Sequence, residues 1–189
     1  KVDWLFSNPL SDGGQFTGVS NLVMKYGVVP AEIMPENYQS NNTTQISNLI
    51  KLKLREFGLT LRNQKDRRAP IALKTQMLAE IYSMLVRAYG VPPTEFEWTR
   101  HDIDGNAVET KTYTPQSFYQ EYFGGIDLEN DFVMVMNDPS REYYKVYEIE
   151  YDRHVYDGDN WVYLNLPIDE VKALAIASIK DNTAMYFSC

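Results

Sequence analysis

Apolar residues return every three or four positions in three stretches of the chain and alternate with polar ones in several others. Phe16, Val19, Val23 and Tyr26 fall at helical spacing and predict a helix with one apolar face. Gly13-Gly14 open it, and Gly27 follows where a left-handed cap is wanted. Ahead of it, residues 1–12 predict an irregular or extended lead-in, with Trp4, Leu5 and Phe6 as a buried anchor and Pro9 as a breaker. Val28-Val29-Pro30 continues extended. Ser40 to Thr44 is polar and ends in helix-capping residues. Ile46, Leu49, Ile50, Leu54 and Phe57 then predict a second helix that stops near Gly58. After a polar turn at residues 62–68, Leu73, Met77, Ile81, Leu85 and Ala88 mark a long third helix, ended by Gly90 and Pro92-Pro93. The second and third helices are expected to form an antiparallel pair.

The texture then turns to β. Phe96 and Trp98 alternate with polar residues, Asp104-Gly105-Asn106 signals a hairpin turn, and Val108 to Tyr113 reads as the returning strand. Thr114-Pro115 opens a short helix through Phe118, Tyr119 and Tyr122 that ends at Gly124-Gly125. Phe132 to Met136 predicts a short buried strand, Tyr143 to Tyr151 an aromatic-rich one, and Trp161 to Leu166 another. Asp169-Glu170 sit in the first turn of a last helix with Val171, Leu174, Ala175 and Ile179, where acidic groups suit the helix dipole. Ala184 to Cys189 reads as strand-like. The fold class is therefore α+β, a mainly helical first half followed by a β-rich second half, with no internal repeat.

Composition excludes more than it identifies. The 189 residues are 44% hydrophobic and 23% charged, which excludes wholesale disorder and fits one domain, with room for two. A net charge of −8 argues against nucleic acid as the main partner. No apolar run approaches the ~20 residues that a membrane-spanning helix needs. One cysteine and two histidines leave no intrachain disulfide and no support for a thiolate metal site. No metal and no cofactor is expected.

Few residues invite chemistry. Asp12-Gly13-Gly14 stands at a helix start. Two glycines let another backbone approach closely, so a peptide could pair with this main chain as in strand addition. A tight turn that only positions the helix explains the same residues. It is not a phosphate loop, because the Lys-Ser/Thr of that motif is missing. Cys189 closes a strand-like run with no helix N-terminus or imidazole beside it to lower its pKa, and it reads as a buried structural thiol. His101, beside Arg100 and Asp102, and His154, beside Asp152 and Arg153, read as surface residues on polar turns. Asn42-Thr43-Thr44 matches a glycosylation acceptor, but helix capping explains it. The tyrosines from Tyr143 to Tyr163 fit the face of a sheet, a subunit interface or the lining of a ligand groove.

The order of segments adds a family resemblance. Asp12-Gly13-Gly14-Gln15-Phe16, then Leu22 to Pro30 (Leu-Val-Met-Lys-Tyr-Gly-Val-Val-Pro), then Met34-Pro35-Glu36-Asn37-Tyr38 resemble the bleomycin hydrolase and aminopeptidase C branch of the papain-like cysteine peptidases. Pro92-Pro93 with Phe96 and Trp98, and Thr114-Pro115 with Phe118 to Glu121, continue it. So do Val135 with Asn137-Asp138-Pro139, and Ala177 to Asp181 leading to Phe187 and Cys189. The blocks are collinear and cover nearly the whole chain.

The resemblance implies a partial papain-like fold: part of the helical half, plus the helical and β insertion of this branch. Residues 1–40 would belong to the helical half with its Gly-Gly substrate-backbone segment. Residues 41–130 would be the branch-specific insertion, and residues 131–189 the β-rich segment returning toward the catalytic core. Asp12, Gly13 and Gly14 would bind extended substrate backbone. The activity implied is that of a cysteine aminopeptidase acting on peptides, in a homo-oligomer that is hexameric in the family and mostly cytosolic. Any export signal would lie before Lys1.

The chain also departs from its relatives. The nucleophilic Cys of a Gln-x-x-x-x-x-Cys-Trp segment, the general-base His and the orienting Asn have no counterpart in these 189 residues, and Cys189 matches a family cysteine that is not the nucleophile. The chain opens on Lys1 and stops in mid-pattern, and it is expected to be the middle of a longer enzyme. The alternative is a non-catalytic peptide-binding or assembly module that has lost its triad.

Overall fold

A computed structural model describes residues 2–11, 13–64, 70–150 and 152–187. In chain order the elements are α1 (Val2–Ser7), α2 (Phe16–Tyr26), α3 (Tyr38–Asn41), α4 (Thr44–Arg62), α5 (Pro70–Tyr89), β1 (Phe96–His101), β2 (Ala107–Tyr113), α6 (Pro115–Phe123), β3 (Met134–Met136), β4 (Lys145–Ile149), β5 (Trp161–Asn165) and α7 (Ile168–Lys180). They fall into two compact units that alternate along the chain. One comprises residues 1–13 and 29–114, the other residues 14–28 and 115–189.

The first unit is built on α4 and α5. Ile46, Ile50 and Phe57 of α4 and Met77 of α5 are buried, each side chain stabilising the pair by about 1.5–3 kcal/mol through apolar burial. Leu73, Ile81, Leu85 and Ala88 of α5 are half-buried, as the stripe predicts. Lys53, midway along α4, meets Glu80, midway along α5, at 2.7 Å.

Gly58 does not stop α4, which runs on to Arg62. The missing Cβ makes room instead: the Phe6 ring lies 2.8 Å from where it would stand. The lead-in corrects the sequence reading more sharply. It is helical, and Trp4 is 61% and Leu5 46% exposed, so Phe6 alone acts as the anchor. Arg55 secures it by donating to the carbonyl oxygens of Phe6 and Ser7, each at 2.9 Å. These carbonyls end α1 and have no intrahelical donor of their own.

The polar stretch before α4 caps a different helix from the one expected. Asn37 accepts from the N–H groups of Gln39 and Ser40 and closes a capping box on α3, whereas Thr43 makes no side-chain cap on α4. Asn37 also donates to the Ala88 carbonyl at 3.0 Å, which ties α3 to the end of α5. Residues 65–69, most of the expected polar turn, lie outside the described residues.

The β1–β2 hairpin forms as expected, with Phe96 opposite Tyr113, both buried. Asp102 organises its turn, accepting from the N–H groups of Asp104 at 3.0 Å and Asn106 at 2.8 Å. Gly105 supplies the positive φ, +84°.

The second unit carries a three-stranded sheet in the order β3-β5-β4. The central β5 is parallel to β3 and antiparallel to β4. Asn165 ends β5 fully buried. Its Oδ1 accepts from the Asp138 N–H, and its Nδ2 donates to the carbonyls of Asp138 and Glu142. Phe118 and Tyr119 bury the inner face of α6. α6 packs on α2 where Gly27, at φ +75°, lies against the Pro115 carbonyl.

Three expectations change in this unit. β3 is only Met134–Met136, and Phe132 and Val133 are exposed, although the Phe132 ring touches Phe16 at 5.0 Å. Residues 184–187 form no strand. The third change concerns α2. Val19 is 56% and Tyr26 57% exposed, while the residues buried on α2 are Gly18, Ser20 and Asn21. Only part of the expected apolar face packs inward, Phe16 and Val23 being half-buried, and the most buried side of α2 receives a polar loop instead of an apolar layer.

Candidate substrate-backbone site

That loop is residues 152–160, between β4 and β5, and it follows one line along α2. Gly14, Gly18, Asn21 and Lys25 are spaced by four, three and four residues, so all four fall on one side of the helix and its approach. Asp157 pairs with Lys25 at 2.7 Å. Asp159 donates its N–H to Asn21 Oδ1 and accepts from Asn21 Nδ2, both at 2.9 Å. The Gly158 Cα stands so close that a Cβ there would fall 2.6 Å from Asn21 Oδ1.

At the N-terminal end of the line stands His154. An ideal Cβ on Gly18 would lie 1.7 Å from its Nδ1, and one on Gly14 would lie 3.0 Å from its Nε2. The imidazole thus rests on the Cα atoms of both glycines. The Trp161 ring lies 5.3 Å from it between centroids.

The electrostatics of this region follow from these contacts. The hydrogen bond to Asp157 raises the Lys25 pKa above its ordinary value, against a smaller desolvation effect. The same bond lowers the Asp157 carboxyl. Burial pushes up the Tyr163 phenol, helped by the charges of Asp152 and Tyr186.

The sequence-predicted residues are distributed as follows. Gly13 is exposed and receives the Ser11 hydroxyl oxygen on its N–H at 3.2 Å. Gly14 is half-buried, and its carbonyl accepts from the Tyr186 hydroxyl at 3.3 Å. Asp12 and Cys189 lie outside the described residues. His101 is exposed at the end of β1, as a surface residue should be. His154 is also exposed, but its place over two glycines was not read from the sequence. The only signal available was the four-residue spacing of Gly14 and Gly18. Among the described residues no group of three or more His, Cys, Asp or Glu side chains could hold a metal, and no helix is long and apolar enough to cross a membrane.

The arrangement offers the Gly14 main chain, backed by a histidine, and no cysteine among the described residues. The model of the Peptidase C1-like family matches residues 1–189. The chain belongs to that family. Among Peptidase C1-like relatives, it is 35% identical to bleomycin hydrolase of Homo sapiens over its full length, covering 43% of that protein. It is 36% identical to aminopeptidase C of Lactobacillus delbrueckii subsp. lactis, over 99% of this chain and 42% of the relative. The crystal structure of PepW from Lactobacillus rhamnosis HN001 superposes with a TM-score of 0.88 at 36% identity, over 96% of this chain and 42% of PepW. The mixed α+β architecture therefore corresponds to a portion of the PepW fold, and the chain spans less than half the length of the relatives it matches.

Proposed function

We propose that the chain is the middle portion of a cysteine aminopeptidase that removes N-terminal residues from peptides. The observation that carries this reading is the match along the entire chain to proteins named bleomycin hydrolase and aminopeptidase C. In this reading, residues 1–40 belong to the papain-like helical half, residues 41–130 to the insertion of this branch, and residues 131–189 return toward the catalytic core. Asp12, Gly13 and Gly14 bind the substrate main chain.

The nucleophilic thiol, the imidazole base and the orienting amide come from segments outside these residues. A thiolate–imidazolium pair attacks the scissile carbonyl, backbone donors hold the oxyanion, and water resolves the thioester. The same reading gives a cytosolic homo-hexamer with peptides as its partners.

The test is turnover of a fluorogenic aminoacyl substrate by the protein that carries this chain. Hydrolysis abolished by a thiol-alkylating inhibitor is expected. A protein that binds peptide without turning it over would be the non-catalytic module and would overturn the reading.

A further inference from the structure

We propose that His154 is a positioning residue that fixes the Gly14 main chain for peptide binding, an inference that rests on the substrate-backbone role proposed above. Glycine has no side chain to hold its backbone in place, and it loses more conformational freedom on ordering than any other residue. A glycine that must present its main chain to a ligand in one orientation gains from an external brace, because freedom removed beforehand is not lost on binding.

Gly14 has such a brace on two sides. The imidazole of His154 lies against its Cα, with Nε2 3.0 Å and Cε1 3.1 Å from the position of a Cβ. The Tyr186 hydroxyl donates to its carbonyl at 3.3 Å. Its N–H meets no acceptor among the described residues. The donor that strand addition requires is thus left open while the rest of the residue is held.

The brace is itself anchored. Trp161 supports the ring, and the loop that carries it is fixed to α2 through Asp157–Lys25 and Asp159–Asn21. Gly18 completes the device, since only a residue without a Cβ lets the ring reach back to Gly14 over the first turn of α2. This assigns Gly18 a purpose that helix propensity alone would oppose. Because His154 is exposed, a methyl group at Gly18 can push the imidazole into solvent without disrupting the interior.

The experiment is a steady-state comparison in the full-length protein on an aminoacyl substrate. The variants are His154→Ala, His154→Phe, Gly18→Ala and the double variant Gly18→Ala/His154→Ala. His154→Ala should raise KM roughly three- to tenfold with kcat within about twofold, the pattern of lost uniform binding. His154→Phe, which restores a flat ring, should recover most of the loss. Gly18→Ala should raise KM to the same extent, and the double variant should be no worse than His154→Ala, because both changes remove one contact.

A merely structural role would lower the melting temperature without this split in KM and kcat. Wild-type turnover with an unchanged KM in His154→Ala overturns the inference alone, as does a double variant whose effects add. Should His154→Ala fail to fold, an unchanged KM in Gly18→Ala overturns it. Absence of wild-type turnover overturns the aminopeptidase reading and this inference with it.

Discussion

Asn165 holds both ends of the Asp138 residue: its Oδ1 accepts from the Asp138 N–H at 2.8 Å, and its Nδ2 donates to the Asp138 carbonyl at 2.9 Å. The same Nδ2 lies 3.2 Å from the Glu142 carbonyl, so one buried carboxamide closes the whole turn between β3 and β4. Asn165→Leu keeps the approximate volume and removes every one of these bonds. The Glu142 carbonyl keeps the Tyr147 hydroxyl as a donor, but the Asp138 N–H and carbonyl lose these partners. A main-chain group left unsatisfied away from water costs about 1–3 kcal/mol, so a loss of a few kcal/mol is expected. Urea unfolding of the variant should show a lower midpoint with an unchanged slope.

Gly27 and Gly105 both have positive φ, but they predict different costs. A Cβ on Gly27 would fall 2.2 Å from the Pro115 carbonyl carbon, whereas one on Gly105 would meet nothing within 4 Å. Gly105→Ala should therefore cost only the left-handed backbone penalty, about 1–2 kcal/mol. Gly27→Ala adds a clash with main chain that cannot rotate away, and α2 must part from α6. The expected result is a small fall in melting temperature for the first variant and a loss of soluble protein for the second.

The sequence was most readable where an element buries apolar residues against its neighbour. α4, α5 and the hairpin are of that kind: the stripe from Leu73 to Ala88 faces inward, and Asp104-Gly105-Asn106 makes the turn. The pattern misled at α2, because Gly18, Ser20 and Asn21 are its buried residues, and Gly18 and Asn21 meet a polar loop more than 130 residues away. Hydrophobic periodicity does not register a face built for hydrogen bonds and close approach. The same limit hid His154. A ring resting on a glycine leaves no side-chain pattern at either position. α1 was missed because six residues carry too little periodicity to separate a helix from an extended segment. Gly13 and Gly14 were legible as a pair, but only the structure joins Gly14 to His154 and Tyr186.

The Lys25–Asp157 pair gives a dependence on pH with a definite sign. The hydrogen bond lowers the Asp157 carboxyl below its ordinary value and raises the Lys25 ammonium above its own. A depressed carboxyl contributes stability that is present above its unfolded pKa and lost as pH falls through its folded one. A raised ammonium contributes stability that is lost as pH climbs through its folded pKa. The contribution is therefore greatest near neutrality and fades at both extremes. Asp102, Asp127 and Asp138 are also lowered, chiefly by hydrogen bonds from Asn106, Asn130 and Ser140, so the acid side is the steeper. Lys25→Met should remove the part that depends on Asp157. Melting temperatures measured from about pH 3 to pH 7 should then show a smaller rise than in the wild type, with the two curves converging at the acid end.

Asn21→Asp should invert that trend locally. In the wild type, the Asn21 amide donates to one Asp159 carboxylate oxygen at 2.9 Å while its carbonyl accepts from the Asp159 N–H at 2.9 Å. The substitution keeps an acceptor for the N–H but sets a second carboxylate against the first. Two carboxylates sharing such a site cannot both ionise at ordinary cost, so one titrates above its unfolded value. A group raised in the folded state favours folding below its unfolded pKa, and that advantage is lost as pH rises through the folded one. Near neutrality the variant should be destabilised, with the 152–160 loop the first segment to loosen and limited proteolysis cutting within it. On acidification toward about pH 4 the shared proton restores a hydrogen bond between the two groups, and the gap in melting temperature to the wild type should narrow. Asn21→Leu lacks any titrating group and should show a gap that does not narrow in the same way. A pH-independent gap in Asn21→Asp would mean that the two side chains do not face one another in solution.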